Sequence, residues 1–504
     1  MSFMSRLWGS ASPIPYNAKP SAPLLKFGSD DYLYLVDALE GICILGGVGS
    51  GKSSGSGNAI ARSYLQSGFG GLVLCAKSNE ADRWIKLAKE TGRGQDVIRF
   101  DASGQHRFNI MDYTVATLGR EGFDQNLSAA LIAASEAARV VKSGGGGGDN
   151  PFFRDAAEEL LLHALPLLKV TRPRLELREL MRFIDTAPNS PDEVRSEDWQ
   201  KRSFCSEVLL TCGDLADQGN TEAERIAEEH ADYWLVRFPA MGDKTRSSIV
   251  ATLTSTLNGL LSGKVHELFC TDTTLVPELT QEGAIIILDM SIHQFGPVGA
   301  IMQSVFKSLW MKSIQQRTIE RRMRPCFLWI DECQYFLSGG SEDSDFLSTS
   351  REYGACPVYI TQDLSTFFAA MGSENAENKG KQLVAKFQTR IFHANTDHVT
   401  NSFASEIIGK VKKQRVSRGS NSGINNSKND DAGITAGGGR SRGHSQNIET
   451  YDDLDIHPEY FGNELRTGGK QSRFQVDAIL IRSARKWAAS GRNRLKVTFD
   501  QKAR

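Results

Sequence analysis

At 504 residues the chain is too long for one compact core, so two or more domains are expected. Hydrophobic content of 40% and charged content of 24% are ordinary for a soluble globular protein and exclude a disordered or fibrous class. A net charge of −1 excludes a global positive field, so any nucleic-acid contact must come from local patches.

Residues 1–40 read as an N-terminal arm and lead-in. Met1 to Pro23 is rich in Ser, Pro and small residues without an apolar signal core, and residues 24–40 are polar-aromatic with room for one edge strand. Gly41-Ile42-Cys43-Ile44-Leu45 is an apolar run of strand length. It leads into Gly46-Gly47-Val48-Gly49-Ser50-Gly51-Lys52-Ser53, which fits G-x-x-x-x-G-K-[ST]. In that pattern the glycines turn successive backbone N–H groups inward around a β-phosphate. Lys52 adds a point charge to the β/γ-phosphates, and the Ser53 hydroxyl can ligate Mg²⁺. Ser54 to Ser67 reads as the following helix, whose unpaired N–H groups and dipole point at the phosphate. Gly46 to Ser54 is therefore the candidate nucleotide-binding segment.

Gly71 to Ala76 is a second buried strand, Asn79 to Glu90 a helix, and Asp96 to Phe100 a third strand. Apolar strands alternating with helices predict a parallel sheet covered on both faces, with residues 41–113 as the first part of an α/β nucleotide-binding domain. From 114 to 240 the period is helical: Leu127, Ala130, Leu131 and Ala134 mark one helix, and Ala157, Leu160, Leu161, Ala164 and Leu165 another. The Gly144 to Gly148 run between them reads as a flexible joint. This region is expected to be an all-helical insert.

The α/β pattern resumes over 241–504. Thr245 to Leu261 is a helix, Gly283 to Met290 a strand, and Gly299 to Arg322 a long helix. Cys326 to Glu332 is a strand with two acids at its C-terminal end, and Val358 to Gln362 and Thr389 to His393 are further strands. Residues 412–447 are poor in apolar residues and full of Ser, Asn, Gly, Arg and Lys, which predicts a flexible basic loop or hairpin tip. The eight cysteines form no C-x-x-C and read as buried free thiols in a reducing cytosol. No stretch approaches about 18 apolar residues, so no transmembrane helix is expected.

An apolar strand ending in Asp331-Glu332 has the form of a Walker B motif. Asp331 would hold Mg²⁺ next to the Ser53 hydroxyl, and Glu332 would polarise the attacking water. An acid pair at a strand end is often only a solvated loop entry, but the upstream P-loop favours the chemical reading. Gln362 ends the next strand at the same sheet edge, where it could bond the γ-phosphate or the water. Arg351, in a helix-like stretch from Phe346 to Tyr353, is a candidate arginine finger acting on a neighbouring subunit's ATP. Arg246 and Lys244 are rivals for that role.

Together these residues resemble the coupling ATPases of conjugation and type IV secretion, TraG/TraD-like members of the FtsK–HerA superfamily of hexameric motors. Ala76-Lys77-Ser78-Asn79-Glu80 resembles the family's D-P-K-G-E segment, with Ala76 and Ser78 replacing the usual Asp and Gly. Phe108-Asn109-Ile110-Met111-Asp112 is similar to its F-N-P-L segment, and Asn150-Pro151-Phe152-Phe153 to its D-P-F-W element. Ser350 to Gly354 followed by Thr361 to Leu364 is similar to its R-x-x-G…Q-x-x pattern. The resemblance implies a RecA-like P-loop NTPase motor domain with an inserted all-alpha domain. It also implies a homohexamer with ATP and Mg²⁺ between subunits and DNA in a central channel, Arg351 and Gln362 serving as finger and sensor.

Implied partners are DNA, a relaxase or other secretion substrate, and membrane-embedded secretion components. Many family members carry N-terminal membrane helices and this sequence shows none. The expectation is a bacterial cytoplasmic motor, peripheral at the inner membrane through a partner. Two groups are candidates for DNA backbone contact: Lys410, Lys412, Lys413, Arg415 and Arg418, and Arg482, Arg485, Lys486, Arg492, Arg494 and Lys496. Delivery of protein effectors to a secretion system is an alternative with the same sites. A nucleotide-gated assembly protein is a third, weakened by Glu332, since a switch needs no strong water activator.

Overall fold

The computed structural model describes residues 18–502 apart from 118, 144–150, 262, 320–322, 338–340, 373–374 and 425–439. Residues 1–17 of the expected arm, the Gly144 to Gly148 run and Asn150 lie outside the described residues.

The lead-in forms β1 (Pro23–Lys26) and β2 (Tyr32–Tyr34), a small antiparallel sheet of its own rather than an edge of the main one. The main sheet collects β3 (Ile42–Leu45), β4 (Gly70–Leu74), β5 (Val97–Phe100), β6 (Ile285–Leu288), β7 (Cys326–Ile330), β8 (Ala355–Thr361) and β9 (Thr389–Phe392). After the ribbon β10 (Lys410–Ile424) and β11 (Arg440–Leu454), it also takes in β12 (Gln475–Arg482) and β13 (Arg494–Asp500). The strand order is β13-β12-β9-β3-β8-β7-β4-β6-β5. From β9 to β5 all pairs are parallel, and β12 and β13 close one side antiparallel.

Continuous apolar runs make these strands because both faces are covered, and the two-residue side-chain period then feeds two separate cores. Cys43, Leu45, Leu72, Leu74, Leu328 and Ile330 pack on one face. Ile42, Ile44, Val73, Phe327 and Trp329 pack on the other, against the helices Asn58–Gln66 and Glu80–Glu90.

Between β5 and β6 the chain is helical. Asn109 starts this stretch: its side-chain oxygen accepts from the N–H groups of Met111 (3.0 Å) and Asp112 (3.2 Å), capping the helix Ile110–Thr117. Helices Gly119–Ser143 and Pro151–Thr171 follow, and further helices run as far as Leu279–Glu282. The helix after β6 spans Ile292–Gln315 and bends at Gly296 and Pro297, earlier than the expected start at Gly299. It lies against Gly119–Ser143, so the helical region and the sheet share one core.

Of the two readings for 412–447, a loop or a hairpin tip, the described residues follow the hairpin. Residues 412–424 and 440–447 lie in a long antiparallel ribbon in which Lys410 pairs with Leu454 and Ile424 with Arg440. Composition left a loop open because neither strand has an apolar face. Each strand satisfies its backbone on the other instead of on a core. Residues 425–439 lie outside the described residues.

Candidate active site

The P-loop leaves the C-terminal end of β3 and enters a π-type turn, Ser53–Gly57, before the helix Asn58–Gln66. Gly46 N–H donates to the Gln362 carbonyl (3.1 Å) and Gly47 N–H to Ala394 (2.9 Å), so the loop hangs from the strand ends on both sides of β3. Two glycines are required by geometry. A Cβ at Gly46 would come within 2.6 Å of Ser50 Oγ and 2.7 Å of His393 Cβ. Gly51 has φ +83°, and a Cβ there would meet Val476 at 2.7 Å. Beneath the loop, His393 is buried with Nε2 2.7 Å from Ser56 Oγ and Nδ1 3.2 Å from the Asp477 carbonyl. A carbonyl can only accept, so Nδ1 carries the proton and Nε2 takes the Ser56 hydroxyl's. Burial, aided by the Lys52 charge, pushes this imidazole down to about 3, and it stays neutral.

β8 separates β3 from β7, yet the acids at the end of β7 reach the loop. Ser53 Oγ donates to Asp331 Oδ2 at 2.8 Å. Two hard oxygens at that spacing are the donor set that Mg²⁺ takes alongside phosphate oxygens and water. Glu332 is buried in the left-handed region, φ +52°, its N–H donating to Asp331 Oδ1 at 3.0 Å. Its carboxylate accepts from Lys77 Nζ (2.6 Å), Gln334 Nε2 (2.9 Å) and Gln362 Nε2 (3.2 and 3.1 Å). Burial raises the Glu332 pKa, but the Lys77 and Gln334 bonds and the Lys77 and Lys52 charges outweigh it and hold the group below the usual carboxylate range. Gln334 is oriented in turn by Thr361, whose hydroxyl donates to its oxygen at 3.0 Å. Glu80 accepts from the N–H groups of Ala76 (2.8 Å) and Lys77 (3.3 Å). Burial, then the Asp331 charge, push Glu80 up to about 8.

Two clefts flank the loop. One of about 670 Å³ is lined by Gly47, Val48, Ser50, Gln362 and Asn395. The other, about 600 Å³, is lined by Ser54, Arg83, Lys86 and Lys502, together with Arg62, which pairs with Glu90 at 2.6 Å. Arg83 donates to the Ser53 carbonyl (2.6 Å), and Gln501 Nε2 to Ser54 Oγ (2.7 Å).

The structure thus brings together Gly46 to Ser54, Asp331, Glu332 and Gln362. It does not bring Arg351 to them. Arg351 precedes β8, at the N-terminal end of the strands, where it pairs with Glu40 at 2.5 Å and keeps 63% of its side chain exposed. Arg246 is buried and paired with Asp243 and the Met241 carbonyl. Much of the C-terminal basic group is engaged within the fold. Arg482 and Arg485 bind Asp37, Arg482 also binds Glu40, Arg492 and Arg494 bind Asp455, and Lys496 meets the Tyr460 hydroxyl. Folding sets four arginines of this run against acids of the lead-in and of the segment after β11, while Lys486 is exposed. In the ribbon, Lys413 pairs with Asp453, and Arg415 stands opposite Glu449.

Sequence reasoning gave no chemical role to Lys77, Glu80 or Gln334. The signal available was a polar run just after an apolar strand, whose end must lie beside β7. Gln303 carried no signal at all. It is a buried amide in an apolar helix that accepts from Cys75 N–H (2.8 Å) and donates to the carbonyls of Cys75 (2.9 Å) and Met290 (2.8 Å), fixing the chain just ahead of Lys77.

Residues 21–433 match the family model described as type IV secretory system conjugative DNA transfer. The chain belongs to this family. No curated protein matches it. Among solved structures, this conjugative-transfer protein is similar to the unbound bacterial conjugative coupling protein TrwBdeltaN70, at 15% identity and TM-score 0.60 over 97% of this chain and 90% of that one. It is also similar to TrwB in complex with ADP and Mg²⁺, at 14% identity and TM-score 0.59 over 98% and 96%. A third likeness is to TrwB with the ATP analogue ADPNP, at 15% identity and TM-score 0.56 over 98% and 97%. At such identities the likeness concerns the fold: a RecA-like P-loop NTPase with an all-alpha domain, as the resemblance implied. Among the described residues no helix is long and apolar enough to cross a membrane.

Proposed function

We propose that the chain is an ATP-hydrolysing hexameric motor that moves DNA, with its attached protein, into a conjugative type IV secretion channel. The observation that carries this is the joining of P-loop and β7 acids through Ser53 and Asp331 at 2.8 Å, with Glu332 alongside. ATP phosphates would lie in Gly46 to Ser54, with Lys52 against the β/γ-phosphates. Ser53 and Asp331 are the residues that would hold Mg²⁺, which supplies charge neutralisation at the phosphates when bound. Glu332 takes a proton from the water that attacks the γ-phosphorus, the bond to the bridging oxygen breaks, and ADP leaves with its electron pair. Gln362 orients the water, and Arg351 of a neighbouring subunit offsets the charge of the transition state.

The cytoplasmic face of the inner membrane is the proposed place of action, reached through a membrane partner. The ribbon with Lys410, Lys412, Lys413, Arg415 and Arg418 is the proposed backbone contact. ATP turnover with and without single- and double-stranded DNA, with mass measured in the same samples, tests the reading. Stimulation by DNA together with a hexameric mass is expected. Turnover that DNA leaves unchanged would favour delivery of protein effectors instead.

A further inference from the structure

We propose that Lys77 is a latch on Glu332: its ammonium occupies the carboxylate that must accept the proton from water, and turnover requires Lys77 to change partner. This rests on the ATPase reading above and adds a regulatory residue to it.

The geometry around Glu332 is that of a saturated acceptor. Lys77 Nζ lies 2.6 Å from Oε1, Gln334 Nε2 2.9 Å from Oε2, and Gln362 Nε2 3.2 and 3.1 Å from the two oxygens. A carboxylate offers about four lone-pair sites, and three N–H donors crowd them here, with Gln362 Nε2 lying across both oxygens. A general base needs one of those sites turned to the proton it removes. The Gln362 amide, offered to the water or the γ-phosphate in the proposed mechanism, is turned to the same carboxylate.

One of the partners has to move, and burial decides which. The Glu332 side chain is 2% exposed and its backbone is pinned to Asp331. The Lys77 side chain is 42% exposed, at the end of a flexible four-carbon stem. Its main chain is fixed: Gln303 holds Cys75 on both sides, and Glu80 accepts from the Lys77 N–H. Lys77 is therefore a free arm on a rigid mount. The terminal phosphate of a nucleotide, with more negative charge than one carboxylate, is the competitor that draws the ammonium away. Loss of Lys77 does not leave Glu332 as a bare buried charge, because the Gln334 and Gln362 donors remain and Lys52 faces the same space.

The test uses the full chain. Lys77→Met keeps the length and apolar stem and removes the charge. Its ATP turnover without DNA is expected to rise several-fold in kcat, with KM raised where the ammonium's contact to the terminal phosphate is lost. Lys77→Arg, which keeps a charged donor, is expected to bring the rate back down. A structure of the wild-type protein with a non-hydrolysable ATP analogue supplies a readout apart from activity: the ammonium should stand beyond hydrogen-bond reach of Glu332. A lower or unchanged kcat in Lys77→Met, or an intact Lys77–Glu332 pair beside the bound analogue, overturns the latch while the ATPase reading stands. Absence of hydrolysis in both wild type and Lys77→Met overturns the ATPase reading, and the latch with it.

Discussion

At Glu332 burial and hydrogen bonding pull in opposite directions, and the donors win. The residue is ionised where an unpaired buried acid would be neutral, which the proposed water activation requires. Glu332→Gln keeps the shape and most of the neighbours, so ATP affinity should be unchanged in a fluorescent-nucleotide titration. Phosphate release should fall by about 100-fold or more. His393 is the opposite case, a base kept neutral under the P-loop. Its folded pKa of about 3 lies below the ordinary 6.5. The unfolded chain therefore takes up this proton first. The stabilisation is fully present above pH 6.5 and is lost as pH falls towards 3, at up to about 1.4 kcal/mol per pH unit. Denaturant midpoints measured from pH 7 to 4 should drop accordingly, and His393→Gln should flatten the slope. Asp331 and Glu332 were legible in the sequence because the P-loop and an acid-tipped strand constrain each other. Lys77 and Gln334 were not, because their role depends on which side chains a neighbouring strand end delivers.

Among the elements, the helix Ile292–Gln315 is tied to the helix Ser341–Thr349, which sits on the central strand β8, by a fully buried ion pair. Lys307 Nζ sits 2.9 Å from each Asp343 oxygen and 2.6 Å from the Phe336 carbonyl, and the Tyr359 hydroxyl donates to Asp343. Removing one partner strands the other charge. Lys307→Met should cost about 3–5 kcal/mol in a urea melt, and adding Asp343→Leu should restore much of it. The apolar strands β3, β4, β6, β7 and β8 could be read from sequence because burial on both faces leaves an uninterrupted hydrophobic run. The ribbon β10–β11 could not, since strands that pair only with each other need no apolar pattern.

Over the whole molecule the placement of Arg351 matters most. It stands before β8, whose seven residues put it about 20 Å from the P-loop edge of its own chain. A finger role therefore requires a second copy. Arg351→Ala should lower turnover by about a thousandfold without weakening nucleotide binding. Mixing it with Lys52→Ala subunits should restore part of the activity, since each variant supplies what the other lacks. Mixed samples as inactive as either parent would remove Arg351 from the finger role.

The sequence by itself determined the phosphate loop, the acids opposite it, the alternation of the seven parallel strands with helices, and the family. Each of these is written in local pattern: glycines at fixed offsets, charge at the end of an apolar run, periods of 2 and 3.6. Only the tertiary structure decided which charges are spent inside the fold. It set Arg482, Arg485, Arg492 and Arg494 against acids distant in sequence, and it closed Lys77 onto Glu332 across 255 positions. A charge reads the same in sequence whether it faces water, a phosphate or a buried partner. Folding makes that choice through strand order, which no local pattern encodes.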